Sequence, residues 1–242
     1  MERLDTALVT RGICSSRARA QASIEAGNVA VNDLICLKAS RKVDDADTLR
    51  LTEQLPFVGR GGYKLKYALA EFQIRLSGLH CLDVGASTGG FTDCMLQNGA
   101  VSVLAVDVGH DQLAQQLRDD PRVTVMEGTD LRRLPPDSPG LPAEFAACDV
   151  SFISLKQILP ALPPLLAPNA CAVLLVKPQF EAGKQALNKN GIVRDEKIRQ
   201  QVLRDVRNAA AQNGFTPLAD CVSPIKGGSG NTEFLLYLQK VT

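Results

Sequence analysis

The chain has 242 residues, 45% hydrophobic and 22% charged, with a formal net charge of +1. This is the composition of an ordinary globular protein, long enough for one full domain plus a small module. A charge so near zero excludes attraction of nucleic acid by the molecule as a whole, so any such affinity must come from local patches.

The first fifty residues read as a small α+β module. "RLDTALVTRG" and "SRARAQASIEAG" are two short helices, the second capped by Ser15 or Ser16 and stopped by Gly27. "VAVND" and "LICLKA" form a hairpin turning at Asn32 and Asp33, and "DTLRL" adds a short strand. The stretch "TEQLPFVGRGG", with one proline and three glycines, reads as a linker. The expected domains are residues 1–55 and 63–242, joined by 56–62.

After the linker the hydrophobic period changes. "YKLKYALAEFQI" predicts a helix with Leu65, Leu69 and Phe72 on one face. "HCLDV", "VSVLAVDV", "VTVM", "FAACDV" and "ACAVLLVK" are continuous apolar runs, with helix-like stretches at 111–118 and 154–166 between them. Buried parallel strands alternating with helices predict a doubly wound α/β sheet. A polar helix over 194–213 leads to "PLADCVS", and "TEFLLYLQ" follows the loop "PIKGGSGN". Two strands joined without a helix predict an antiparallel pair at the end of the sheet.

The seven cysteines, at 14, 36, 81, 94, 148, 171 and 221, show no CxxC spacing, and His80 and His110 are the two histidines. No metal site is expected, and the scatter favours a reducing cytoplasm. The opening "MERLDTALVTRG" lacks the apolar core of a signal peptide, and no apolar run reaches the roughly 18 residues of a membrane span.

The stretch "LDVGASTGGFTD" follows the first strand of the larger domain. Gly85, Gly89 and Gly90 would let a ligand approach the backbone, and a helix starting near Phe91 would aim its N–H groups at it. The spacing is not GxGxxG, and Asp83 would repel a pyrophosphate, so a cationic or amine group fits better. Asp107 closes the second strand, where an acid grips ribose hydroxyls, and Asp130 after the third could meet an adenine amine. An amine, a ribose and an adenine describe S-adenosylmethionine. The candidate cofactor residues are Asp83, Gly85, Ala86, Ser87, Thr88, Gly89, Gly90, Phe91, Asp107, Val108, Asp130 and Leu131.

Four further residues stand at strand or helix ends: Lys64, Asp149, Lys177 and Glu233. Two lysines and two carboxylates on one rim suit methylation of a ribose 2′-hydroxyl, with Lys177 as general base. Lys64 would be its cationic neighbour and substrate holder, with Asp149 and Glu233 orienting. A plain ion-pair network would gather the same charges.

Taken in order, "RLDTALVTRG…SRARAQASIEAGNVAVN", "RGGYKL", "LDVGASTGGFTD", "DVSFISL", "VKPQFEAG", "GIVRD" and "GNTEFLLYL" resemble the TlyA family. These are FtsJ-like RNA methyltransferases with an S4 domain, often labelled haemolysin A. The resemblance implies a Rossmann-like class I methyltransferase fold with a seven-stranded, mostly parallel sheet whose last strand is antiparallel. It also implies 2′-O-methylation of ribosomal RNA, typically at cytidine, within ribosomal RNA or subunits as partner. The Lys-Asp-Lys-Glu tetrad of that family falls on Lys64, Asp149, Lys177 and Glu233.

The S4-like module departs from its pattern at Asp33, where glycine is usual, and at Gln21 and Glu25, where basic residues are common. The expected RNA contacts are Arg3, Arg11, Arg17, Arg19, Lys38, Arg41 and Arg60. Two other functions compete. A non-catalytic ribosome-binding protein would retain cofactor affinity but show a broken tetrad. A membrane-active haemolysin would need an apolar face able to enter a bilayer, for which the helix bearing Ile198, Val202 and Val206 is the candidate.

Overall fold

The computed structural model describes residues 1–52, 56–227 and 230–241. The chain divides into two compact units, Met1–Arg60 and Gly61–Thr242. The expected boundary at residue 55 and the start of the linker fall on 53–55, outside the described residues.

In the smaller unit, β1 (Glu2–Arg3) leads into α1 (Leu4–Thr10), followed by α2 (Arg17–Glu25). Ser16, not Ser15, caps α2 by accepting from the Arg19 amide at 3.2 Å, an interaction worth about 1 kcal/mol. β2 (Val29–Val31), β3 (Leu34–Ile35), β4 (Lys42–Val43) and β5 (Leu49–Leu51) complete it. They form a three-stranded sheet ordered β3-β2-β5 and a separate β1-β4 pair. Leu4, Leu8, Ile24, Val29 and Val31 fill the core between helices and strands. The hairpin turns at Asn32 and Asp33 with φ of 50° and 64°, the left-handed pair that a tight two-residue turn demands. Asp33 stands there without glycine's freedom, and its carboxylate meets Arg50 at 3.0 Å.

The larger unit opens with α3 (Gly61–Glu71), two residues earlier than the apolar period indicates. β6 (His80–Val84), α4 (Gly90–Gln97), β7 (Ser102–Val106), α5 (Gln115–Arg118), β8 (Val123–Met126) and β9 (Ala143–Cys148) follow. Next come α6 (Leu155–Ile158), β10 (Leu166–Val176), α7 (Pro178–Glu181), α8 (Glu196–Gln212), β11 (Phe215–Val222) and β12 (Phe234–Lys240). The seven strands are ordered β11-β12-β10-β9-β6-β7-β8. The five from β6 to β10 run parallel, and β12 is antiparallel to both β10 and β11.

Two helix-like stretches are shorter than their sequence suggests. The region 111–118 yields only the single turn of α5. The region 154–166 keeps α6, then becomes two 3-10 turns at Leu159–Ala161 and Pro163–Leu165. Pro160, Pro163 and Pro164 remove the amides that an α-helix would need there. The apolar face of α8, carried by Val202, Leu203, Val206 and Ala210, is buried in the sheet core, and Ile198 is only half-buried. The helix therefore has its partner already, and among the described residues no helix is long and apolar enough to cross a membrane.

Candidate active site

The loops at the carboxyl ends of β6, β7, β8 and β9 enclose a cavity of about 500 Å³. Its walls include Gly85, Ser87, Asp107, Val108, Asp130 and Leu131 from the expected cofactor set. Asp149, Val150, Ser151, Phe152 and Ile153 close it from the β9 loop. Three carboxylates beside valine, leucine and isoleucine side chains suit a ligand with a polar sugar and a flat apolar ring.

Asp107 is held in place by the turn it faces. Its Oδ2 accepts from the Ser87 amide at 2.7 Å and its Oδ1 from the Gly109 amide at 2.7 Å. Asp130 caps a 3-10 turn and pairs with Arg132 at 2.7 Å. The Arg132 side chain holds its carboxyl down to about 2, so Asp130 is an anion at neutral pH.

Ala86, Thr88, Gly89, Gly90, Phe91 and Asp83 are not in the cavity wall, and the structure gives several of them another reason to be there. A Cβ on Gly89, whose φ is 95°, would stand 2.2 Å from Leu117 Cδ1. The side chains of Leu117 and Leu113 pack close against that glycine. Gly85 has φ of 82°, and its missing Cβ makes room for the Asp149 carbonyl, which would otherwise lie 2.7 Å away. Phe91 is buried, with its ring against Gly61 at the start of α3.

Asp83 is fully buried in β6, where Thr92 Oγ1 donates to its Oδ2 at 2.6 Å. Its Oδ1 has no donor. Burial pushes this carboxyl up to about 7, against the opposing hydrogen bond from Thr92. A buried acceptor without a donor, one residue before Val84 of the cavity wall, fits a cofactor that brings an ammonium group.

A second cavity, of about 310 Å³, is lined by Ser151, Phe152, Lys177, Gln179, Phe180, Leu187, Gly191, Asn231 and Glu233. Ser151 and Phe152 belong to both cavities, so the two meet at that segment. The four residues expected to form a tetrad make two ion pairs, with Asp149 in the wall of the larger cavity and Lys177 and Glu233 in that of the smaller. Lys177 Nζ lies 2.5 Å from Asp149 Oδ1, and Lys64 Nζ lies 2.6 Å from Glu233 Oε2. The first is a charge contact rather than an aligned hydrogen bond, since that Asp149 oxygen has no donor in hydrogen-bond geometry. Lys177, only 9% exposed, instead donates to Ser151 Oγ at 2.8 Å. Gln179 Nε2 donates to Glu233 Oε1 at 3.3 Å and so connects the Lys64 pair to the β10 loop.

Sequence reasoning missed Ser151 and Phe152. Phe152 is 92% exposed and has φ of 64°, a conformation that a bulky residue rarely adopts. Its ring sits 5.1 Å from that of Phe180, at the seam between the cavities. No period marks these residues, though their place in "DVSFISL" directly after a strand-end acid is a usable signal.

Of the expected RNA residues, Arg3 and Arg17 converge on one buried acid. Asp5 Oδ1 meets Arg3 Nε at 2.9 Å, while Oδ2 accepts from Arg17 Nε at 2.9 Å and Gln21 Nε2 at 2.7 Å. The Arg3 guanidinium is the main reason that the Asp5 carboxyl lies far below its ordinary range. Gln21, a departure from the basic pattern, thus completes the array. Arg11 is engaged within the module, where its guanidinium donates to the carbonyls of Asp47 and Asp44 at 2.7 and 2.6 Å. It fastens a turn of the module. Arg60 pairs with Glu25 at 3.2 Å, Arg19 and Arg41 are half-buried, and Lys38 is exposed.

Comparison with known proteins agrees with this geometry. The FtsJ-like methyltransferase family matches residues 57–240, and the S4 domain matches residues 2–49. YqxC of Bacillus subtilis is 48% identical over 240 residues, covering 98% of this chain and 85% of that protein. The 16S/23S rRNA (cytidine-2′-O)-methyltransferase TlyA of Mycobacterium tuberculosis is 42% identical, covering 99% of this chain and 90% of its own. A solved structure of a Streptococcus thermophilus protein bearing a hemolysin name superposes with a TM-score of 0.80 at 45% identity, over 99% and 88% of the two chains. The strand order, the two domain matches and relatives spanning nearly the whole chain lead to one assignment: the protein belongs to the FtsJ-like methyltransferases, in the TlyA family that joins this domain to an S4 domain.

Proposed function

We propose that the protein transfers a methyl group from S-adenosylmethionine to a ribose 2′-hydroxyl of ribosomal RNA, at a cytidine, where ribosomal subunits are found in the cytoplasm. One observation carries this reading: a buried lysine, Lys177, paired with Asp149 where the two cavities meet. The larger cavity takes the cofactor, with Asp107 on its ribose, Asp130 toward its adenine and Asp83 accepting from its ammonium group. The smaller cavity takes the target nucleotide. The name carried by the M. tuberculosis relative supplies the cytidine and the 2′-oxygen.

S-adenosylmethionine, when bound, supplies an electrophilic methyl carbon on a sulfonium. Lys177, held by Asp149 and Ser151, would accept the proton of the 2′-hydroxyl as that oxygen takes the methyl group and the donor leaves as its thioether. The lysine ends as an ammonium facing Asp149, which stabilises the charge it has gained. Lys64, held by Glu233, offers a fixed cation to the nucleotide. Phe152 presents an exposed ring on which a base withdrawn from its stack can lie, a use that accounts for its left-handed backbone.

A non-catalytic reading would require an incomplete tetrad, and all four side chains are present and paired. The direct test maps 2′-O-methyl groups on ribosomal RNA from cells with and without this gene. A cytidine that loses its methyl in the deleted strain, and regains it with the purified protein in vitro, is the expected result. Identical maps would refute the proposal.

A further inference from the structure

The segment 149–154, between β9 and α6, carries three of the groups around the reaction: Asp149, Ser151 and Phe152. It has no regular secondary structure, and it contains a bulky residue at positive φ. Left to itself, such a segment would relax toward ordinary backbone angles, because the left-handed region costs on the order of 1–3 kcal/mol for a residue of this kind. Something must hold it.

Three contacts tie its beginning to Lys177 and α7. Asp149 and Ser151 both meet Lys177, and the Phe152 ring meets Phe180. The fourth contact is made by a residue that lines neither cavity. Glu181, the last residue of α7, accepts from Ser154 Oγ at 2.6 Å through Oε2 and from the Leu155 amide at 2.7 Å through Oε1. Ser154 already caps α6 by accepting from the Lys156 amide at 3.1 Å. The carboxylate therefore fastens the far end of the segment to the same short helix that starts beside Lys177.

We propose that Glu181 is a positioning residue for methyl transfer. It closes the Asp149–Ser154 segment onto α7, so that Asp149 and Ser151 stay on the Lys177 amine and Phe152 stays at the seam. It lines neither cavity. The inference rests on the methyltransferase reading above, but the closure itself does not depend on that reading.

The test compares the full-length protein with Glu181→Ala, Glu181→Gln and Ser154→Ala. Calorimetry with S-adenosylmethionine counts the competent sites, and methyl transfer to ribosomal subunits is expressed per competent site. Glu181→Ala should lower kcat per site on the order of 10–100-fold, the scale of a misplacement of about 1 Å, while KM for the subunits changes little. Glu181→Gln keeps an acceptor for the Leu155 amide and a polar partner for Ser154, and should restore most of the rate. Ser154→Ala removes one of the two bonds, together with the cap on the Lys156 amide, while the Leu155 amide keeps its acceptor, and should fall between them. Loss confined to the number of competent sites, or equal loss in the Gln and Ala variants, would overturn the proposal.

Hydrogen exchange separates this from the reaction itself. Amides of 149–155 should exchange faster in Glu181→Ala than in the wild type or Glu181→Gln. Unchanged exchange in the alanine variant would defeat the closure even with an active enzyme. A wild-type protein that methylates no ribosomal RNA would instead defeat the functional reading, and the exchange result would still decide the closure.

Discussion

Lys177 Nζ and Asp149 Oδ1 lie 2.5 Å apart although 28 positions separate them, because they leave neighbouring parallel strands at the same edge of the sheet. Cys148 of β9 stands opposite Leu174 of β10, so Asp149, one residue on, and Lys177, three residues on, leave at the same end of the sheet. Lys177→Met keeps the length and apolar stem of the side chain and removes its amine. S-adenosylmethionine should still bind with nearly the wild-type dissociation constant, measured by calorimetry. Methyl transfer to ribosomal subunits should fall by roughly 10²–10⁴-fold, the usual contribution of a positioned base. Undiminished transfer would rule out the lysine as that base.

Asp107→Ala tests the cofactor pose. The carboxylate holds the Ser87 and Gly109 amides and faces the larger cavity. Loss of a two-point ribose clamp should weaken S-adenosylmethionine by about 2–4 kcal/mol. Circular dichroism should show the fold intact. An unchanged dissociation constant would contradict the assignment of this cavity.

Asp83 makes stability depend on pH in an unusual direction. Its carboxyl is pushed up to about 7 in the folded protein, against about 3.9 in an unfolded chain. Between those values the folded state holds a proton that the unfolded state has released. Stability therefore falls as pH rises from about 4 to about 7, by up to about 4 kcal/mol, and levels off above that. Asp83→Asn keeps an acceptor for Thr92 and cannot ionise. Thermal midpoints of the variant at pH 5 and pH 8 should lie closer together than those of the wild type, and an equal gap would locate the effect elsewhere. The same variant should bind S-adenosylmethionine more weakly, since an amide does not neutralise an ammonium.

Two arginines of the S4 domain should respond differently to removal. Arg17 is fixed by Asp5 with its side chain still 58% exposed, which leaves donors for a phosphate. Arg17→Ala should weaken RNA binding and reduce the slope of log affinity against log salt by about 0.7–0.9. Arg11 holds the carbonyls of Asp44 and Asp47. Arg11→Ala should instead destabilise the domain by roughly 1–3 kcal/mol and leave the salt slope unchanged. Binding titrations at several salt concentrations, with thermal melts of each variant, distinguish the two.

Much of the protein was legible before folding, for identifiable reasons. Short continuous apolar runs bounded by turn residues, such as "HCLDV" and "VSVLAV", fit strands buried on both faces, and acids at their ends mark the rim where ligands bind. Lys64, Asp149, Lys177 and Glu233 could be singled out because each stands at or near the end of an element. The helices after β7 and β9 are shorter than the sequence predicts, since prolines and local turns override the apolar period there.

The sequence by itself determined the two-domain plan, the parallel order of apolar strands and the acids and lysines at their ends, because these follow from periodicity and the chemistry of single residue types. Only the tertiary structure decided what the glycines make room for, which arginines are already engaged, and which acid is left without a donor. Gly89 faces Leu117, Arg11 faces two carbonyls, and Asp83 Oδ1 faces no donor. Each of these depends on contacts between residues distant along the chain, and no local pattern encodes the distance between side chains that meet only when the sheet has formed.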